Sequence, residues 1–204
     1  MLFEDTYKTI TSRSEGIYKD KGSKFIGIVL PVRTEEEVRK KLDDIKAEYH
    51  DARHHCFAYM LGANKSASRF NDDGEPSGTA GRPIMGQINS RDLTDILIVV
   101  VRYFGGTKLG IRGLINAYRS SALNAITAAR IINKTVDEIY AVQFDYLMMN
   151  HVMQIMKDSN VKILSQNFNL KCRIEYLVRK RVADTVSNRL NKNNNLTVSF
   201  IRSA

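Results

Sequence analysis

The sequence predicts a two-domain α+β protein, and three observations carry the prediction. The chain has 204 residues, and at roughly 100–150 residues per domain that suits two small domains or one large one. Apolar residues make up 43% of it, enough to fill real cores. Strand-like and helix-like runs alternate up to Asn133, and a β-α-β-β-α-β order follows from Lys134 onward. The expected division is therefore residues 1–133 and residues 134–204.

In the first part, KFIGIVLPV (residues 24–32) is apolar and β-branched and predicts a strand, with Gly22-Ser23 turning the chain before it. Thr34 then heads EEEVRKKLDDIKAEY. It is placed to cap a helix, Glu37 completes a capping box, and three glutamates suit the positive end of the helix dipole. Val38, Leu42, Ile45 and Tyr49 give that helix one apolar stripe. A second strand is expected over His54–Leu61. Residues 62–82 are polar and glycine-bearing, with turn signals at Asp73-Gly74 and Glu75-Pro76. Ordered loops of that length are often functional. Pro83 to Ile88 predicts a short helix. DILIVVVRYF (residues 95–104) is the strongest strand, apolar enough for burial on both faces. It runs into Gly105-Gly106-Thr107-Lys108-Leu109-Gly110. A long helix is expected from Ile111 to Ile131, with Ser120, Ser121 and Ala122 allowing close packing.

In the second part, VDEIYAVQFDY (residues 136–146) predicts a strand, and Asn150 is placed to cap a helix through HVMQIMKDS. VKILSQNF and LKCRIEYLV alternate as two strands joined tightly at Asn169. Residues 179–192 predict a helix with Val182 and Val186 on one face, and LTVSFI is a last strand. This is the split βαβ, ferredoxin-like arrangement. Its roughly 70 residues suffice for one small sheet with two helices on one face.

Composition narrows the function classes. No run approaches the roughly 18–20 apolar residues of a membrane span, and the longest, Ile96 to Val101, has strand length. The first residues lack a basic segment followed by an apolar one, so no secretory signal is expected. Cys56 and Cys172 lie far apart and form no CxxC pair, which argues against a disulfide scaffold or a zinc ribbon. The cytoplasm is the expected compartment. The net charge is +9, denser in the shorter second part, and a basic balance favours encounter with polyanions such as RNA.

Two adjoining stretches carry a resemblance. They are SRFNDDGEPSGTAGRPIMGQI, from Ser68 to Ile88, and ILIVVVRYFGGTKLGIRGLINAYRSSA, from Ile96 to Ala122. Within them, Asp73-Gly-Glu-Pro-Ser-Gly-Thr-Ala-Gly and Arg102-Tyr-Phe-Gly-Gly-x-x-Leu-Gly occur in order and at a family's separation. Together they resemble the signature of the IMPACT N-terminal domain. The C-terminal order is similar to the second domain of bacterial YigZ-type members, so the resemblance to this IMPACT/YigZ family covers nearly the whole chain. It implies an N-terminal β/α fold like domain two of ribosomal protein S-five and the GHMP kinases. It implies a C-terminal domain like the last domain of elongation factor G. Eukaryotic relatives regulate translation by binding a ribosome-associated activator of a stress kinase. Bacterial relatives lack a firmly assigned activity, and nucleic-acid binding has been proposed for them.

Several residue groups suggest chemistry. Glycines between a buried strand and a helix start expose backbone N–H groups, and the helix dipole adds positive potential. With Lys108, Arg112 and Arg102 supplying charge, the turn through Gly105, Gly106 and Gly110 is a candidate phosphate or RNA dock. It matches neither a Walker motif nor GxGxxG, and its glycines serve equally to permit a tight turn. Asp72, Asp73 and Glu75 offer a divalent-cation or acid/base reading. Pairing with Arg69, Arg82 or Arg102 to fix the loop is the preferred one. His54 and Cys56 share a strand face and His55 does not. No second ligand cluster accompanies them, so no metal is expected. Ser77 and Thr79 sit in no G-x-S-x-G elbow. Phe144, Tyr146, Phe168, Tyr176 and Phe200 lie in expected strands, where aromatics stack RNA in some ferredoxin-like sheets. No RNP1-like run is present, and most of these rings are read as core. Arg179, Lys180 and Arg181 oppose the dipole at a helix start and offer a second basic surface. The expectation is a binding protein that contacts ribosome, RNA or a translation factor and needs no cofactor. A nucleotide-dependent enzyme using the acidic and glycine loops, and a protein-only scaffold, are the alternatives.

Overall fold

The structure is a computed structural model that describes residues 5–169, 171–192 and 195–203. The chain divides into two compact units. One is Tyr7–Lys134; the other runs from Thr135 and takes in Asp5 and Thr6. Asp5 and Thr6 were expected with the first unit. Two bonds explain their grouping with the second: Val136 N–H donates to Asp5 O at 2.7 Å, and the Asp5 carboxylate accepts from Arg179 Nε and Nη2 at 2.5 and 2.9 Å. That guanidinium holds the Asp5 carboxyl below its ordinary range.

In the first unit the elements run β1 (Thr6–Ile10), β2 (Ser14–Asp20), β3 (Ser23–Pro31), α1 (Glu35–Glu48), β4 (His54–Leu61), β5 (Ala67–Asn71), α2 (Gly81–Ser90), β6 (Ile96–Tyr103), α3 (Gly110–Ala128) and β7 (Ile131–Thr135). β1 and β7 form a separate two-stranded sheet, and the main sheet has the order β2-β3-β6-β4-β5, antiparallel throughout. β6 lies at its centre. Its Ile96, Ile98 and Val100 pack into a core with Ile84 and Ile88 of α2 and with Leu114, Tyr118 and Ala125 of α3. Leu97, Val99 and Val101 pack on the other face with Val38 and Ile45 of α1. Burial on both faces explains the uninterrupted apolar run.

α3 lies flush against the sheet. A Cβ on Gly16 would meet Ala125 N at 2.3 Å, and one on Gly27 would meet Ser121 O at 2.5 Å. Small residues on both surfaces therefore set the helix–sheet distance. α3 stops at Ala128, short of the expected Ile131. Ala129 takes an extended conformation, and β-branched Ile131 and Ile132 join a strand instead. β5 occupies part of the stretch expected as one long loop. The turn between β2 and β3 uses Lys21 (φ 45°) and Gly22 (φ 78°), the primed two-residue hairpin form, so Ser23 is already strand rather than turn.

Thr34 caps α1 as expected: its Oγ1 accepts from Glu37 N–H at 3.2 Å. Glu37 reaches back one residue further than a capping box requires, accepting from Arg33 N–H at 2.8 Å. Thr34→Ala is expected to lower stability by about 1 kcal/mol, read as a shift in the urea midpoint with unchanged slope.

The second unit contains β8 (Asp137–Phe144), a single 3-10 turn (Tyr146–Met148), α4 (Met149–Asp158), β9 (Lys162–Phe168), β10 (Cys172–Arg179), α5 (Lys180–Asn191) and β11 (Leu196–Ser203). Its sheet order is β11-β8-β10-β9, the antiparallel arrangement of a split βαβ fold. α4 and α5 cover one face, with Val152, Ile155, Val186 and Leu190 packed on Val142, Ile174 and Tyr176. Asn150 does not cap α4. The helix continues out of the 3-10 turn, with Met148 at the cap position and no side-chain cap.

Candidate functional site

The two signature stretches meet at one end of the first unit's sheet. Arg102, near the end of β6, lies directly opposite Phe25 of β3 and His54 of β4. Alternation along β6 puts Arg102 on the face of Val100, toward α2 and α3. The loop after β5 closes over it. Arg102 Nη1 donates to Glu75 Oε1 at 2.5 Å, and Tyr118 O–H of α3 donates to the same oxygen at 2.8 Å. Arg102 and Glu75 are each 8% exposed and Tyr118 is fully buried. The pair is therefore internal, and its low-dielectric surroundings strengthen it. The guanidinium lies 5.5 Å from the ring centroids of both Phe25 and Phe104, within cation–π range.

Asp72 organises the start of α2. Its Oδ1 accepts from Ala80 and Gly81 N–H at 3.0 and 2.8 Å, and its Oδ2 accepts from Gly78 N–H at 2.8 Å. A carboxylate facing the first amides of a helix suits the dipole. It also supplies the side-chain acceptor that Ala80, the cap residue, lacks. Asp73 ties the loop to β4: its Oδ2 accepts from His55 N–H at 2.6 Å. Its own carbonyl accepts from His54 Nδ1–H at 2.7 Å. That bond requires Nδ1 to carry a proton. His55 sits on the opposite face, with Nε2 on Tyr49 O at 3.1 Å.

Of the three acidic residues only Glu75 pairs with one of the three arginines considered, Arg102; Asp72 and Asp73 hold the loop through backbone amides instead. Asp72→Ala removes the acceptor for three amides and is expected to cost about 2 kcal/mol. Hydrogen exchange should show the loss first in the opening turn of α2. Cys56 completes the network, its thiol donating to Asp72 O at 2.9 Å and touching Tyr118 Oη at 3.3 Å. Burial pushes the Cys56 thiol and the Tyr118 phenol well up, which disfavours the thiolate that a nucleophilic cysteine needs. Among the described residues no group of three or more His, Cys, Asp or Glu is placed to hold a metal ion.

The glycine turn divides into an inner and an outer part. Gly105 belongs to the inner part. Its N–H donates to Ser23 Oγ at 3.1 Å, and a Cβ there would fall 1.9 Å from Gly22 C. Arg102 and Gly105 were expected in the anion dock; inside the fold Arg102 Nη1 is bound by Glu75 and Gly105 N–H by Ser23 at the β2–β3 turn. Gly106 (φ 86°) and Gly110 (φ 69°) supply left-handed turns in open space. Lys108 and Arg112 are exposed and make no ion pair among the described residues. The amides of Gly106, Thr107 and Lys108 find no hydrogen-bond acceptor among the described residues. α3 starts without a side-chain cap.

In the second unit, Arg179 is likewise occupied, by Asp5, whereas Lys180 and Arg181 are exposed. The aromatics split. Phe144 and Tyr176 are core, while Tyr146, Phe168 and Phe200 are 69%, 46% and 54% exposed. None of the five lies on the helix-free sheet face. Register places Gln143, Arg173, Glu175, Asn167 and Ser199 there, so no row of rings exists to stack bases.

Sequence reasoning missed Tyr118 and Ser23. Tyr118 lies on the buried stripe of α3 with Leu114 and Ile126, where an aromatic reads as plain core. Only its hydroxyl, which needs a partner when buried, hinted at the acidic loop.

No helix among the described residues is long and apolar enough to cross a membrane. A crystal structure of a hypothetical protein superposes with a TM-score of 0.74 and 26% identity over 98% of this chain and 99% of that one. IMPACT family member YvyE of Bacillus subtilis is 31% identical over 182 residues, 89% of this chain and 84% of that protein. IMPACT family member YigZ of Escherichia coli is 33% identical over 150 residues, 72% and 74% of the two chains. The model of the Impact N-terminal domain matches residues 21–126, a span that holds Arg102, Glu75, Tyr118, Asp72 and the glycine turn. The chain that builds this buried network belongs to the IMPACT family.

Proposed function

We propose that this protein is a cytoplasmic, translation-linked binding protein that docks an RNA phosphate backbone, on the ribosome or on a factor-bound RNA, at the outer part of the glycine turn. One observation carries the reading. Among the described residues, Lys108 and Arg112 are exposed cations that make no ion pair, set at a helix start whose preceding amides find no acceptor. Free N–H groups, the helix dipole and two exposed cations favour the same ligand charge. Lys180 and Arg181 supply a second basic surface, and the net charge of +9 favours encounter. The link to translation rests on the family alone. The acidic loop supports no metal–nucleotide reading, because Asp72, Asp73 and Glu75 all carry internal bonds.

The test is binding to ribosomal RNA and to isolated ribosomes over a salt series. Affinity should fall steeply with salt. The double variant Lys108→Glu/Arg112→Glu should lose at least about tenfold in affinity and flatten the salt slope, since each lost phosphate contact removes roughly one unit of it. Its stability should stay at wild-type level, because neither side chain supports the fold. Salt-independent binding, or an unchanged double variant, would refute the dock.

A further inference from the structure

The Arg102 guanidinium has a second, unused edge. Nη1 is spent on Glu75, but among the described residues Nε is buried without a hydrogen-bond partner and Nη2 makes no hydrogen bond. A buried N–H without an acceptor is costly and asks for an explanation. The side chain is only 9% exposed, so bulk water does not simply solve the problem. Nε and Nη2 form the fork that grips carboxylates side-on. Elsewhere this chain uses that fork for the purpose: Arg13 holds Glu15 with it, Arg173 holds Glu175 and Arg179 holds Asp5. In Arg102 the same fork holds no carboxylate among the described residues, and the guanidinium carbon lies 5.5 Å from the ring centroids of Phe25 and Phe104. Phe25 is fully buried, whereas Phe104 is 58% exposed and gives this end of the guanidinium its nearest solvent-facing ring.

We infer that the free edge of Arg102 is a receptor for a small oxyanion, a carboxylate or phosphate oxygen pair, entering beside Phe104. Glu75 already neutralises the guanidinium, so a monoanion is favoured over a dianion, and acetate is the better probe of the two chemistries. This site is distinct from the RNA dock: it uses no residue of that dock and stands if no RNA binds.

The experiment is a titration of the arginine-labelled protein, following the Arg102 Nε–H signal by NMR with acetate, inorganic phosphate and a chloride control at matched ionic strength. The signal is assigned by its loss in Arg102→Lys, and independently by its proximity to the ring protons of Phe25 and Phe104 should that variant fail to fold. The expected result is a saturable downfield shift with acetate, at a midpoint at least about tenfold below any effect of chloride, as a new charge-assisted hydrogen bond requires. A shift with phosphate as well identifies a general oxyanion site; a shift with acetate alone identifies a carboxylate site. No saturable shift with either salt overturns the inference and leaves a resident water as the partner of Nε.

Discussion

Glu75→Ala should be the most damaging single substitution in the signature, costing about 3–5 kcal/mol, the usual penalty for breaking a buried ion pair by removing one partner. Two groups are stranded by the change. Arg102 is left as a charge that is 8% exposed, and the Tyr118 hydroxyl loses its acceptor in the core. Glu75→Gln should cost less, because the amide oxygen still accepts from Tyr118, but the unpaired guanidinium remains. The combined Glu75→Leu/Arg102→Met change should recover much of the loss, since a buried pair contributes little beyond a well-packed apolar replacement. Urea denaturation of the three variants measures the series. A combined variant as unstable as the sum of its parts would show that the pair is not the source of the effect.

Gly105→Ala should come next, at about 3 kcal/mol, and should exceed Gly106→Ala, although Gly106 is the glycine with positive φ. At Gly106 the cost is conformational only: φ is 86° but the space is open, and a left-handed alanine costs roughly 1–2 kcal/mol. At Gly105 the added methyl meets Gly22 C at 1.9 Å and Ser23 N at 2.2 Å. Those atoms are backbone in a tight hairpin and have no rotamer to move to. The shift should also break the Gly105 N–H bond to Ser23 Oγ. Thermal unfolding of the two alanine variants decides the order, and a Gly106 variant less stable than the Gly105 one would contradict the close-packing account.

The elements with strong periodicity were legible. His54–Leu61 and the β6 run could be placed because apolar side chains filled both faces. The helix after Thr34 could be placed because its cap and stripe agreed. The ferredoxin-like order could be read because β10 alternates cleanly and the other strands are short apolar-bearing runs set off by polar turns. β1, β2 and β5 were not legible. β2 reads SEGIYKD, and its glycine marks close approach to α3, a fact held in another part of the chain. The site was half legible. Proximity in sequence made Arg102 and Lys108 look like one cationic patch, but strand alternation turns the first inward and the turn carries the second outward. The pairing of Arg102 with Glu75 spans 27 positions, which spacing alone cannot select from three arginines.

The grip of Arg179 on Asp5 changes what an isolated half of this molecule would be. The larger unit is an insertion within the smaller: the chain leaves at Thr6, returns at Thr135, and the pairing of β1 with β7 closes the excursion like a zipper. A fragment beginning at residue 134 would contain Arg179 without its carboxylate, while one ending at residue 133 would drag that carboxylate along unused.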